Sequence, residues 1–116
     1  MKNFKALLIW QKGWTLLSIA LRWLDFPQQE RFGLATQITK SGVSIPSNIA
    51  EGSSRRSERE YGRFIEISLG SSFELETQLL ISQRAKLWNG ELLVKMLLDV
   101  IEEQKMLTGF QNSLNM

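Results

Sequence analysis

Residues 44–57 have the sequence SIPSNIAEGSSRRS, in which a proline interrupts an apolar pattern and two arginines follow a glycine. A proline inside a helix removes one backbone donor, so the helix must bend or break there. Ile38, Ile45 and Ile49 nevertheless stay on nearly one face across Pro46 when helical spacing is continued. We therefore predict one kinked helix that reaches about residue 51, and a short break at residue 44 is the alternative.

The polar residues of this segment are predicted to be structural. A polar side chain that is buried needs a hydrogen-bond partner, and we expect partners inside the bundle or in a neighbouring subunit. Glu74 or Glu76 of a later helix is expected to hydrogen-bond the Ser47–Asn48 region or to pair with an arginine. The residues assigned to this structural motif are Ser44, Pro46, Ser47, Asn48, Glu51, Gly52 and Glu74.

A heptad-like stripe predicts a first helix over residues 4–24. Its apolar positions recur at steps of three and four and are Leu7, Trp10, Trp14, Leu17, Leu21 and Leu24. Because Trp10 and Trp14 lie on this stripe, we expect both to pack in the core. For Trp23 and Trp88 the sequence leaves three roles undecided: core packing, an interface contact and base stacking.

Start and stop signals predict the other three helices. Pro27 suits the first turn of the second helix. Ser57 and Glu60 form an S-x-x-E capping box, which starts the third helix at Ser57. This helix continues to about Lys86, and Asn89 is a plausible N-cap for the fourth.

Small and charged residues indicate how these helices pack. Residues 70–72 are Gly-Ser-Ser, which predicts the close approach of a neighbouring helix or a partner chain. In the fourth helix, Asp99 and residues 102–105, Glu103 among them, are expected to face mostly outward. The sequence thus predicts an all-α, up-and-down antiparallel four-helix bundle, with residues 1–116 as a single domain.

Composition argues against enzymatic chemistry. The 116 residues include neither cysteine nor histidine, so Ser-His-Asp and Cys-His arrangements and zinc sites of the finger type are excluded. Glu74 and Glu76 could serve as paired carboxylates, but helical di-metal sites of that kind need Glu-x-x-His motifs. We expect no enzymatic activity, no metal and no cofactor.

The charged residues suggest a binding surface. Net charge is only +2, so the distribution of charge carries the information. Arg55, Arg56, Arg59 and Arg63 crowd one end of the third helix, where the helix dipole disfavours cations. With Lys40, these arginines are the predicted nucleic-acid-binding residues. The alternative is a solvated face on which Glu60 pairs with Arg56, and Glu60 and Glu66 pair with Arg63.

The N-terminal region does not have the pattern of an export signal. Lys2 and Lys5 precede an apolar run, but Gln11 and Lys12 end that run too early. A cytoplasmic location is the expectation, and a membrane-binding amphipathic first helix is a weaker alternative.

Taken together, these motifs resemble those of the four-helix bundle proteins encoded in 23S rRNA intervening sequences. The resemblance extends from about residue 4 to about residue 107. Its most specific part is the nonapeptide at residues 44–52. The other matching segments are 10–12, 26–27, 30–34, 37–38, 43, 55–57, 63–64, 69–71 and 74–79.

The resemblance implies an assembly and a class of partner. Several family members form ring-like homopentamers, and the similar accessory variability protein of diversity-generating retroelements binds nucleic acid and works with a reverse transcriptase. The family implies no enzymatic activity. We therefore expect a homo-oligomer, most simply a pentamer, that associates with RNA or DNA through its arginines. The alternative is an interaction scaffold for a protein partner such as a reverse transcriptase. The chain departs from the family pattern at residues 39–42. Family members commonly have two consecutive basic residues there, whereas this chain has only Lys40.

Overall fold

The computed structural model describes residues 3–22, 33–86 and 90–116 of the chain. These residues form a 3₁₀ turn, Phe4–Ala6, and four α-helices: α1 (Leu8–Arg22), α2 (Leu34–Ser53), α3 (Glu58–Arg84) and α4 (Gly90–Ser113). Within this part of the chain there is no β-strand, and no helix is long and apolar enough to cross a membrane. Each helix packs on the next along the chain, and α1 packs on α4. The prediction of an all-α fold with four helices is confirmed.

The first helix begins later than predicted. Leu7 has a ψ angle of 130°, which is extended backbone and separates the 3₁₀ turn from α1. A continuous helix from Phe4 is therefore wrong, although the helical pattern from Leu8 onward is correct. The second helix also begins later than predicted: α2 starts at Leu34 after the non-helical Gly33, so a continuous helix from about Pro27 is wrong. Pro27 itself, Asn89, Trp23 and Trp88 lie outside the described residues.

The second and third helices match the sequence more closely. α2 passes through Pro46 without a break and includes Gly52 and Ser53, so the continuous helix is confirmed and the break at residue 44 is not found. At the start of α3, the Ser57 hydroxyl accepts a 3.1 Å hydrogen bond from the backbone N–H of Glu60, which confirms the predicted cap. α3 ends at Arg84, two residues before the predicted end.

The core lies between α2 and α3 and extends to the inner faces of α1 and α4. Ile38, Ile45 and Ile49 are each fully buried, as their common face predicted. Small residues bring α3 close to α2, because Ser68 is fully buried and its hydroxyl donates a 2.9 Å hydrogen bond to the carbonyl of Ile45. The predicted close approach is therefore confirmed for the serines. Gly70 lies on the open side of α3 with no neighbour within 4 Å.

The buried face of α1 differs from the predicted stripe. Leu17 is buried and Trp10 packs half-buried against the core, as the stripe predicted. Ile9 and Leu16, which lie off the stripe, are also buried, whereas Trp14 is 54% exposed. The reason is Gly13, where an added Cβ would lie 3.0 Å from Ile45 Cγ2. The glycine lets α1 approach α2 closely at this position. With Gly13 facing α2, the next residue, Trp14, lies at the exposed edge of the contact between the two helices. Core packing of Trp14 was therefore a wrong prediction.

Glu103 was predicted to face outward and instead is fully buried. It occupies a core position of α4, since Met96, Val100 and Leu107 are buried at the helical steps around it. Its Oε2 atom would lie 3.0 Å from a Cβ at Gly13, so the missing side chain of this glycine makes room for the carboxyl group.

Candidate nucleic-acid interface

Four arginines lie at the turn between α2 and α3, and we call Arg55, Arg56, Arg59 and Arg63 the arginine corner. All four are exposed. Among the described residues, no ion pair joins Arg56, Arg59 or Arg63 to an acidic side chain. The alternative pairings with Glu60 and Glu66 are therefore not formed, and three guanidinium groups keep their charge available to an anionic ligand.

Arg55 is held in place by both helices. Its Nη2 atom donates a hydrogen bond to Glu51 Oε1 at 3.3 Å, one helical turn back on α2. Its guanidinium carbon lies 4.6 Å from the centre of the Phe64 ring on α3, which is a cation–π contact. Arg55 thus joins the two helices, and its neighbours are freer to contact a ligand.

The turn that carries the corner is closely packed. The backbone N–H of Arg55 donates to the carbonyl of Gly52 at 3.0 Å, and that of Ser54 donates to Glu51 at 3.1 Å. A Cβ on Gly52 would lie 2.7 Å from Phe64 Cβ, so only glycine allows α2 and α3 to meet this closely. A fixed turn presents the arginines at a defined spacing, which reduces the entropy lost when they bind.

Polar side chains of α2, two of them in the 44–57 segment, form a hydrogen-bonded seam between α2 and α3. The hydroxyls of Ser44 and Ser71 share a hydrogen bond of 2.7 Å. Asn48 Nδ2 donates to the Ser44 carbonyl at 2.8 Å and to its hydroxyl at 2.9 Å. Ser41 donates to Gln78 Oε1 at 2.7 Å. The seam satisfies these polar groups and fixes how α2 and α3 align.

Other polar residues of the predicted motif lie outside the seam. Ser47 and Glu74 are exposed, and Glu74 borders the same polar groove as Ser44. Glu76 turns to the other side of α3 and accepts a 2.7 Å hydrogen bond from Gln104 of α4. Asn48 donates to Ser44 of its own helix, and Ser44 in turn contacts Ser71 of α3. The prediction that Glu74 or Glu76 would bond to Asn48 is therefore wrong.

The comparison with protein families agrees with the motif. The model of the 23S rRNA-intervening sequence protein family matches residues 5–109. The chain belongs to this family. A search of curated protein sequences found no match to this chain.

A solved structure supports the fold of this family member. It is the crystal structure of a protein of unknown function from the S23 ribosomal protein family of Bacteroides thetaiotaomicron. The TM-score is 0.83 at 23% sequence identity, and the alignment covers 91% of the present chain and all of the other. At this identity the similarity concerns the four-helix fold alone.

Lys40 does not lie in the arginine corner of this 23S rRNA-intervening sequence protein. Thirteen residues separate it from the end of α2 at Ser53, a distance of about 20 Å along the helix axis. It is exposed and borders the polar groove between α2 and α3 together with Gln37 and Glu74. Lys40 and the arginines are therefore two separate positive regions.

Among the described residues, Glu103 is the acidic group whose pKa is raised most. Neither of its carboxylate oxygens has a hydrogen-bond partner in this part of the chain. Burial raises the pKa of Glu103 from 4.5 to about 8, and the charge of Lys12 partly opposes this rise. The Lys12 ammonium itself lies 3.6 Å from Asp99. The carboxyl group is buried away from the surface, so it can carry a proton but cannot meet a large substrate.

The geometry offers little for a metal ion. Within residues 3–22, 33–86 and 90–116, no three acidic side chains are grouped so that they could hold one.

The burial of Glu103 could have been predicted from the sequence, because residue 103 continues the helical spacing of Met96, Val100 and Leu107.

Proposed function

We propose that this protein is a non-enzymatic RNA-associated protein that binds phosphate groups through its arginine corner. The observation that carries the proposal is the exposure of Arg56, Arg59 and Arg63 without ion pairs among the described residues. The planar guanidinium group suits phosphate oxygens. Local stability gives no reason for this arrangement, because Arg59 and Arg63 are like charges one turn apart near the positive end of α3.

Binding to a labelled RNA oligonucleotide at several salt concentrations tests the proposal. Each phosphate contact to a single strand contributes about −0.7 to the slope of log K against log salt. We expect the triple variant Arg56→Glu, Arg59→Glu and Arg63→Glu to lose binding while its far-UV spectrum stays helical. The matched control is Arg84→Glu, which changes an exposed arginine at the opposite end of α3.

Binding that ignores salt, or that survives the triple variant unchanged, would overturn the proposal. If Arg84→Glu lowers log K by about a third of the loss in the triple variant, which is the same loss per reversed charge, binding depends on net charge and not on the arginine corner.

The second candidate is an oligomeric scaffold that presents helix surfaces to a protein partner such as a reverse transcriptase. The observation that favours it is apolar exposure on the outer sides of α3 and α4: Ile81 is 50% exposed and Leu98 is 64% exposed. Exposed apolar surface of this kind is common where copies of a chain associate. Self-association, as a pentamer by the family resemblance, is part of this proposal and is compatible with RNA binding.

Mass measurement in solution tests the assembly. A mass of one chain at micromolar concentration would contradict it. If the protein is an oligomer, we expect Ile81→Glu with Leu98→Glu to shift the mass to that of a smaller species. Glu102→Gln changes an exposed residue of α4 without altering this apolar surface and serves as the control.

A further inference from the structure

Trp14 is an exposed residue of α1 and follows Gly13, which packs against Ile45 of α2. It is 54% exposed, and its ring stacks on that of Trp10 with centroids 5.5 Å apart and planes at 17°. Trp10 in turn meets the edge of Phe4 at 5.5 Å. A stacked and partly covered indole is held in one orientation and still offers surface to a flat ligand.

The register of α1 against α2 locates Trp14 along α2. A Cβ on Gly42 would lie 3.5 Å from Leu17 Cδ1, and one on Gly13 would lie 3.0 Å from Ile45 Cγ2. The two helices are therefore antiparallel, and Trp14 is level with Ile45. That level lies between Lys40 and the arginine corner.

The outer face of α2 links these positive regions with little opposing charge. Lys40 and Glu51 are the charged residues of this helix, and Glu51 is already paired with Arg55. The remaining outward positions are neutral, Val43 and Ser47 among them. A phosphate backbone that follows this face meets cations at both ends and no unpaired carboxylate of α2. The opposing charge nearest to Lys40 is Glu74 of α3, which is exposed and borders the same groove.

From this arrangement we infer that the outer face of α2 binds a short single strand of RNA, with phosphates at Lys40 and at the arginine corner and a base stacked on Trp14. The inference rests on the proposed function and names its ligand. The length fits a short strand: about 20 Å of helix spans a few nucleotides of an extended single strand, in which each nucleotide covers more than the ~3.4 Å that it covers in a duplex. Bases can reach an indole in a single strand, whereas in a duplex they are stacked and paired.

The test compares an eight-nucleotide single strand with a duplex of the same length and measures affinity and tryptophan fluorescence. Trp14→Ala should weaken single-strand binding at least about fivefold, and Trp14→Phe should retain most of it. Lys40→Ala should reduce the salt slope by about 0.7. Leu8→Ala is the matched control, since Leu8 is 69% exposed on the same helix and borders the groove between α1 and α4.

The outcomes separate this inference from the proposed function. If the arginine variants lose RNA and Trp14→Ala binds like the wild type, the arginine corner stands and the α2 face is refuted. Equal affinity for the duplex also refutes it. A Trp14→Ala variant that changes the mass in solution and leaves RNA affinity intact would identify Trp14 as an interface residue, which overturns the inference. If neither the arginine variants nor the Trp14 and Lys40 variants change binding, both this inference and the proposed function are refuted.

Discussion

Replacing Glu103 with glutamine should remove most of the pH dependence of stability between about pH 5 and pH 8. The carboxyl group is fully buried and has no hydrogen-bond partner within residues 3–22, 33–86 and 90–116, and burial raises its pKa from 4.5 to about 8. In this window the folded chain holds a proton that the unfolded chain has released. The free energy of unfolding therefore falls as pH rises, by up to about 1.4 kcal/mol per pH unit. Across this window the loss is about 3–4 kcal/mol, because the slope decreases near both pKa values.

Urea denaturation followed by circular dichroism at a series of pH values measures this effect. Glutamine has nearly the shape of the acid and stays neutral, so the curve of Glu103→Gln should be nearly flat where that of the wild type declines. Above the pKa of about 8 the contribution of this group is fully lost, and the wild-type curve should level. Glu102→Gln, an exposed neighbour on α4, should keep the wild-type slope. Parallel curves for wild type and Glu103→Gln would refute the assignment of a buried neutral acid.

Three further substitutions test the packing that presents the arginine corner, each by its shift in urea midpoint. Gly52→Ala would place a Cβ 2.7 Å from Phe64 Cβ and should cost about 1–3 kcal/mol. Gly70→Ala is its matched control, because this helical position has no neighbour within 4 Å, and it should gain about 0.5–1 kcal/mol. Ser57→Ala removes the hydroxyl that accepts from Glu60 and should cost about 1 kcal/mol. A neutral Gly52→Ala, a destabilised Gly70→Ala or a neutral Ser57→Ala would each contradict the packing described.

Local rules were enough to predict much of the fold. The cap at Ser57 follows from two side chains three residues apart, and the buried isoleucines of α2 follow from helical spacing alone. Both depend on neighbours in the sequence. The rotation of α1 does not, because Gly13 gains its importance only from Ile45 and Pro46 on another helix.

The candidate site shows the same limit. The arginines could be predicted as a cluster, since they are consecutive or one turn apart. The absence of ion pairs at Arg56, Arg59 and Arg63 among the described residues could not be predicted, because side-chain geometry decides whether Glu60 or Glu66 reaches them. Glu103 was misplaced since a charged residue is expected at the surface, although its position in the helical repeat pointed inward. Trp14 was misplaced for the opposite reason, as an apolar residue on an apparent stripe.

The salt dependence of RNA binding tests the central claim most directly. With three or four phosphate contacts from the arginine corner, log K should fall with log salt at a slope of about −2 to −3. Replacing Arg59 alone with alanine should make that slope shallower by about 0.7 and leave the helical spectrum unchanged. A slope near zero, or one that Arg59→Ala leaves unaltered, would contradict the account.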